Sequence, residues 1–299
     1  MSNKRDIKKG QWLENVCLAP FTSWRIGGCA QRFYWPNDLA DLSRFLRQCP
    51  PDEPITWLGL GSNVLIRDGG IHGTVIVTQG SLKDLSRQSD RLIYAQAGLS
   101  CAQVARFAAK NDLVGSAFLA GIPGTIGGAL MMNAGAFGGE TWPCIASVEL
   151  INRQGGVIHK PASEFIASYR SLAGLPPDHG FVSAIFQFAP GNGAASFAEI
   201  KALLAKRAET QPTGEPSCGS VFRNPDGDHA ARLIESLDLK GTIIGGAQIS
   251  PKHANFIVNL GQACAADVEA LIELIQRKVK AVYGITLQRE VKILGCKIC

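Results

Sequence analysis

"GIPGTIGGALMMNAGAFGG" occupies residues 121–139. Seven of its nineteen residues are glycine, yet Ile122, Leu130, Met131, Met132 and Phe137 interrupt them. A solvated linker would be polar, and a core strand would be weakened by so many glycines. The pattern suits backbone that must approach another group closely while apolar side chains brace it. A second glycine loop, Gly59-Leu60-Gly61-Ser62-Asn63, lies inside "ITWLGLGSNVLI", which reads as strand, turn, strand. Glycines let consecutive backbone N–H groups converge on an anion. Neither loop is a P-loop, because no Gly-Lys-Ser/Thr follows, and Val64 stands where a Rossmann fingerprint needs its third glycine. One such turn reads as a tight turn; two of them flanked by apolar strands point to a long, phosphate-bearing cofactor.

Working outward, Asn37 is placed to cap a helix carrying Leu39, Leu42 and Leu46. "GTVIVT" reads as a strand, and Ser100 with Gln103 forms a capping box before Val104, Phe107 and Ala108. "SVELINRQGGVIHK" reads as a hairpin turning at Gly155-Gly156, and "FVSAIFQFAP" as a strand ending at Pro190. The small residues Gly191–Ala195 suggest a linker, after which Ser196 and Glu199 form a second capping box. In "ADVEALIELIQRKVKAVYG", residues Val268, Leu271, Ile272, Ile275, Val279 and Val282 share one helical face, and Gly284 can end the helix. "LQREVKILG" reads as a strand with Leu287, Val291 and Ile293 on one face and Glu290 on the other. The expected division is a first domain over 20–190, made of two α/β subdomains split near 55, and a second, α+β domain over 197–299.

The 299 residues are 46% hydrophobic and 18% charged, a globular composition with ample core. The net charge of +5 is too mild and too scattered for a nucleic-acid footprint. No apolar run reaches the length that crosses a bilayer, and the start "MSNKRDIKKGQWLENV" has no apolar stretch behind its charges, so neither a membrane span nor a signal peptide is read. Nine scattered cysteines then read as reduced cytoplasmic thiols. Cys296 and Cys299 form the single CxxC, and without two further ligands at matching spacing no metal site is expected.

Five motifs in order carry a resemblance: GLGSN, GIPGTIGGALMMNAGAFG, SYRS (168–171), GSVFRNP (219–225) and REVKILG (289–295). With FTSWRIGGCA (21–30) and GGAQISPKHANFIVN (245–259), the chain resembles the UDP-N-acetylenolpyruvoylglucosamine reductase family along nearly its whole length. The resemblance implies an α+β protein whose two-subdomain FAD-binding domain is of the vanillyl-alcohol-oxidase (PCMH) type, followed by an α+β substrate domain. It implies non-covalent FAD, held by Gly59, Leu60, Gly61, Ser62, Asn63, Leu65, Gly121, Pro123, Gly124, Thr125, Gly127 and Gly128, with Asn133 and Ala134 near the flavin. NADPH is the implied co-substrate, and the implied reaction reduces the enolpyruvyl ether of a UDP sugar in peptidoglycan-precursor synthesis. Small molecules are thus the implied partners, with no nucleic acid and no membrane.

By the same resemblance Arg170 binds the substrate carboxylate and steadies the enolate, a role suited to a fixed guanidinium fork. Glu290 lies across from it, protonated or hydrogen-bonding, and Ser220 delivers a proton to the enolate carbon. Tyr169 and Asn224 match substrate-contacting positions, and His253, which falls in the substrate domain, can face the diphosphate, although a lone histidine also reads as a structural one. Taken singly, Arg170 also reads as a solvated loop arginine, Ser220 as a turn serine and Glu290 as part of a solvated strand face; the order of the motifs is what assigns them. The segment between Tyr169 and Ser220 is short, matching the family's shorter form, which lacks an extra tyrosine-bearing loop. Cys218, two residues before Ser220, is expected to slow turnover when alkylated.

Overall fold

A computed structural model describes residues 7–298. Its first sheet holds β1 (Trp12–Cys17), β2 (Cys29–Tyr34), β3 (Ile55–Leu58) and β5 (Ile71–Val77) in the order β1-β2-β5-β3. β1 runs antiparallel to β2, whereas β2, β5 and β3 are parallel. Parallel strands of one sheet need crossovers, and α1 (Leu39–Gln48) supplies the one between β2 and β3, which flank β5. Its cap is Asp38, whose carboxylate accepts from the Asp41 amide at 2.8 Å, not the expected Asn37; the Asn37 amide instead donates to Asp41 at 2.8 Å. Leu42 and Leu46 of α1 are buried with Tyr34, Ile76 and Val182.

The second sheet is antiparallel, with order β9-β8-β12-β7-β6: β6 (Leu85–Arg87), β7 (Leu92–Gln96), β8 (Ile145–Ile151), β9 (Val157–Pro161) and β12 (Gly180–Gln187). β3 and β5 belong to the first sheet, so the chain passes between sheets after Val77, and the split expected near 55 is corrected to the segment 78–84. The β8–β9 hairpin turns as expected, with the Asn152 amide donating to Gly156 at 3.0 Å and Gly155 at φ +70°. One face of this sheet is covered by α2 (Cys101–Lys110) and α3 (Ile126–Met132), in a core that includes Val104, Ile126, Leu130, Leu150, Ala184 and Phe186. α2 starts on the expected Ser100–Gln103 capping box.

Residues 193–210 depart from expectation. Gly193–Ala195 are not a linker but the first turn of α4 (Gly193–Thr210), capped by Asn192 rather than Ser196. Ser196 lies inside the helix and its hydroxyl donates to the Leu113 carbonyl. Ile200 joins the core around α2, so α4 packs with the first domain and the chain leaves that domain after it. The reason is local: Asn192 accepts from the Ala195 amide at 3.1 Å, and small helix-compatible residues then propagate the turn.

The second domain contains α5 (Ala230–Glu235), the antiparallel sheet β13 (Ile243–Ile244), β14 (Ala247–Ile249) and β15 (Ile257–Asn259), and α6 (Ala265–Tyr283). Val268, Leu271, Ile272, Ile275 and Val279 are buried in one core with Ala247, Ile249 and Ile257, and Gly284 ends α6 at φ +70°. Val282, expected on that face, is 61% exposed because it lies past the last core contact of the helix.

Two features join the domains. β4 (Val64–Ile66), which follows β3 but lies outside the first sheet, pairs in parallel with β16 (Lys292–Leu294). Asp68 caps α6 by accepting from the Ala265 and Ala266 amides at 2.9 and 3.1 Å, while Arg67 grips Glu269 with both Nε and Nη2. Trp24, Ile26 and Leu65 are buried in the second domain's core, and the Trp24 indole donates to the Ile257 carbonyl at 2.6 Å. No helix among the described residues is long and apolar enough to cross a membrane. Of the CxxC pair, Cys299 lies outside the described residues, and Cys296 stands 3.6 Å from the His72 ring.

Candidate active site

The two glycine loops meet. A Cβ at Gly59 would fall 2.3 Å from the Thr125 hydroxyl, and one at Gly124 would fall 3.4 Å from the Ser62 hydroxyl. The Thr125 hydroxyl is buried with no hydrogen-bond partner. Among the described residues the amides of Leu60, Gly61, Ser62 and Asn63 donate to no backbone carbonyl. A buried hydroxyl without a partner beside a row of free amides is the donor set that a diphosphate satisfies. The loops therefore fit the pyrophosphate of FAD.

The glycines have separate roles. Gly127 packs on the second sheet, its amide bonded to the Ala97 carbonyl at 2.9 Å, and Gly121 lies under the Phe137 ring. Gly61 has φ +68° and lies against the backbone of Phe21 and Thr22. Gly128 and Pro123 are exposed and Leu60 is half-buried. Leu65 sends its side chain into the second domain's core. Asn133 ends α3 at φ +39°, and all its polar side-chain atoms are engaged: its amide nitrogen donates to Glu140 and to the Ser168 carbonyl, and its oxygen accepts from the Trp142 amide. Ala134 accepts from the Thr141 hydroxyl at 2.6 Å. Asn133 thus ties the glycine-rich helix to the hairpin that carries Arg170.

That hairpin is β10 (Ile166–Ser168) and β11 (Ser171–Ala173), with Tyr169-Arg170 as its two-residue turn. Arg170 has φ +54°, a left-handed conformation that costs a bulky residue energy and marks a held geometry. Its Nε donates to the Glu290 carboxylate at 2.7 Å and its Nη2 to the Gly135 carbonyl at 3.2 Å. The two side chains are 19% and 14% exposed. Burial pushes the Glu290 carboxyl above the usual carboxylate range, opposed by Arg170 and Arg223. A carboxyl so balanced can accept from the guanidinium or hold a proton when Arg170 turns to another anion.

Ser220 is brought to the same place by backbone pairing. The Glu290 amide donates to the Val221 carbonyl at 2.8 Å, and the Arg223 amide to the Gln288 carbonyl at 2.9 Å. Asn255 clamps this segment: its oxygen accepts from the Phe222 amide and its nitrogen donates to the Phe222 carbonyl. Asn63 of the first glycine loop donates to the Glu290 carbonyl at 3.3 Å, and its own carbonyl accepts from Lys292. The loop, Glu290 and the segment after Ser220 are thus one connected unit.

The other expected positions are more scattered. Tyr169 is 47% exposed, its ring 5.1 Å from the Arg170 guanidinium. The Asn224 oxygen accepts from the Ala230 amide at the start of α5. His253 is half-buried, with Nδ1 accepting from the Asn255 amide at 3.3 Å and its ring edge-on to Phe256; burial lowers its pKa. Cys218 does not behave as expected. Its thiol is 2% exposed, donates to the Gly61 and Val64 carbonyls, and is pushed by burial up to about 12. A buried, protonated thiol is a poor nucleophile, so alkylation of the native protein leaves Cys218 unmodified, and peptide mapping finds it labelled only after unfolding. Sequence reasoning misses Arg223 and Asn255, although each stands inside a motif that carries the resemblance. The signal for Asn255 is a polar residue between Ala254 and Phe256 in an otherwise apolar strand approach.

Two family models match separate parts of the chain. Residues 30–160 match the FAD binding domain and residues 211–294 match the UDP-N-acetylenolpyruvoylglucosamine reductase C-terminal domain. Two relatives bearing the name UDP-N-acetylenolpyruvoylglucosamine reductase, from Methylococcus capsulatus and Legionella pneumophila (strain Corby), are 56% and 57% identical to the chain. Each alignment covers 96% of the chain, and 94% and 93% of the relative. The chain belongs to the UDP-N-acetylenolpyruvoylglucosamine reductase family. The crystal structure of the family's reductase from Thermus caldophilus superposes with a TM-score of 0.81 at 31% identity, covering 94% of this chain and 98% of that one. As a member of this reductase family with an FAD-binding domain, the chain is an FAD-dependent oxidoreductase. Among the described residues no group of three His, Cys, Asp or Glu side chains could hold a metal ion.

Proposed function

We propose that the chain reduces the enolpyruvyl ether of UDP-N-acetylglucosamine to the lactyl ether, with NADPH as the source of electrons, in cytoplasmic synthesis of peptidoglycan precursors. The observation that carries this reading is the Arg170–Glu290 pair, drawn from positions 120 residues apart to a part-buried contact beside the segment holding Ser220. Gly59–Asn63 and Gly124–Gly128 would hold FAD, and the bound flavin would supply the hydride. The chain's own residues then deal with charge and proton. Arg170 exchanges Glu290 for the substrate carboxylate, and its guanidinium spreads the negative charge that builds on the adjacent carbon. Glu290, released from Arg170 in a buried setting, takes up a proton and becomes a donor instead of a repelling anion. The Ser220 hydroxyl, which makes no hydrogen bond among the described residues, gives its proton to the enolate carbon.

The test is spectroscopic. Purified protein is yellow, NADPH bleaches the flavin band, and the enolpyruvyl UDP sugar restores it. Bleaching without restoration by that sugar would assign the enzyme a different acceptor, and a colourless protein would remove the redox reading altogether.

A further inference from the structure

The GSVFRNP segment contains a second arginine, and its contacts differ from those of a surface side chain. Arg223 donates from Nη2 to the Arg170 carbonyl at 2.9 Å. Its Nε is buried and has no hydrogen-bond partner. Its backbone is held by the Gln288 carbonyl, and the neighbouring Phe222 bridges to Arg289. It is also one of two cations acting on Glu290, the other being Arg170.

We propose that Arg223 is a positioning residue of the reductive site, pinning the backbone of Arg170 in its left-handed turn and fixing the second positive charge beside Glu290. The inference rests on the function proposed above. β10 and β11 form an isolated two-stranded sheet with Ile166 75% exposed, so the sheet itself gives its turn little support. Arg170 nevertheless holds φ +54°, which persists only where surrounding contacts impose it. Those contacts are the Gly135 carbonyl and Glu290 on the side chain, and Arg223 on the main chain. The first two engage the guanidinium that must move to a substrate carboxylate. The Arg223 bond engages the carbonyl, and so survives when the guanidinium changes partner.

The unpaired Nε points the same way. Leaving a charged donor unsatisfied in a buried place is unfavourable, and a lysine or glutamine here would avoid it. Arg223 reaches Arg170 through Nη2 from a stem fixed by its own backbone, and its planar fork keeps the charge near Glu290 whatever the state of Arg170. Glu290 faces Arg170 from the β10–β11 turn and Arg223 from the segment after Ser220. When Arg170 turns to substrate, Arg223 is the cation left on Glu290.

The test compares wild type, R223K and R223Q as flavin-loaded enzymes. Stopped-flow absorbance follows reduction by NADPH and reoxidation by the enolpyruvyl UDP sugar, and the flavin band and Tm report folding. In R223Q, reoxidation is expected to slow by roughly tenfold to a hundredfold, as for a misplaced binding group, with NADPH reduction unchanged. Its pH profile for reoxidation is displaced to higher pH, since loss of a cation raises the Glu290 carboxyl further. R223K restores the pH profile but not the full rate, because a lysine keeps the charge and loses the fork. Reoxidation of R223Q within twofold of wild type, or an unmoved pH profile, overturns the proposal, as does equal slowing of both half-reactions together with a lowered Tm in both variants. If wild-type flavin is itself not reoxidised by the sugar, the reading of the function fails first, and Arg223 falls with it.

Discussion

Ser220→Ala is expected to leave flavin reduction by NADPH near the wild-type rate and to slow reoxidation by the enolpyruvyl UDP sugar by about a hundredfold or more, the usual cost of losing one donor in the transition state. The asymmetry between the two halves has a chemical cause. Serine is a weak acid with no titration near neutrality, so it can serve only where a strongly basic carbon forms beside it. In the reaction proposed above, that carbon exists in the second half-reaction alone. The side chain also has no competing structural role, because the segment is held by Glu290, Gln288 and Asn255 through backbone groups of Val221, Phe222 and Arg223. Removing one hydroxyl therefore leaves the clamp intact. Stopped-flow absorbance of the flavin checks it, and equal slowing of both halves would return Ser220 to a structural role.

Gly61→Ala is expected to lower Tm sharply and to yield protein that purifies with little or no flavin. An added Cβ would lie 2.2 Å from the Phe21 carbonyl oxygen, at φ +68°, so neither space nor conformation allows it. The combined strain and overpacking amount to about 2–5 kcal/mol, a large share of a domain's stability. The loop cannot simply shift, because the Gly61 carbonyl also accepts from the Ser23 amide and the Cys218 thiol. Gly124→Ala is the control: its nearest neighbour is the Ser62 hydroxyl at 3.4 Å, and its fold should survive. Differential scanning calorimetry and the ratio of flavin to protein absorbance distinguish the two variants. A Gly61→Ala protein with unchanged Tm and full flavin would show that the close approach is dispensable.

Local pattern sufficed where local physics decides. The Ser100 capping box, the Gly155 turn and the apolar face of α6 all follow from interactions within four residues or so, and each is where the sequence places it. The misplaced features involve competition between equally plausible neighbours or packing from afar. Asn37 and Asp38 are both good caps; Asp38 takes the role, and the Asn37 amide donates to the Asp41 carboxylate instead. Gly191–Ala195 look like a linker, yet Asn192 starts α4 and the core around α2 retains it. The split near 55 failed because strand order is not visible in strand pattern: β3 and β5 pair in one sheet across a loop that leaves it. The Arg170–Glu290 contact was legible only through motif order, since the two residues are joined by nothing local. Arg223 and Asn255 stayed hidden because their importance lies in what they hold, which a sequence pattern does not state.

The pairing of β4 with β16 has a consequence for the order of events during synthesis. β4 comprises residues 64–66, and its partner strand comprises residues 292–294. While the ribosome builds the intervening two hundred-odd residues, the first glycine loop has one open flank, with the Asn63 carbonyl and side-chain amide waiting for Lys292 and Glu290. Both sheets of the first domain can form before then, because all their strands lie before residue 190. The flank of the first glycine loop and the carboxyl that faces Arg170 are therefore completed in the same late step, a single long-range closure of high contact order. A nascent chain can hold a folded first domain while Arg170 still waits for Glu290, which arrives only with that closing strand.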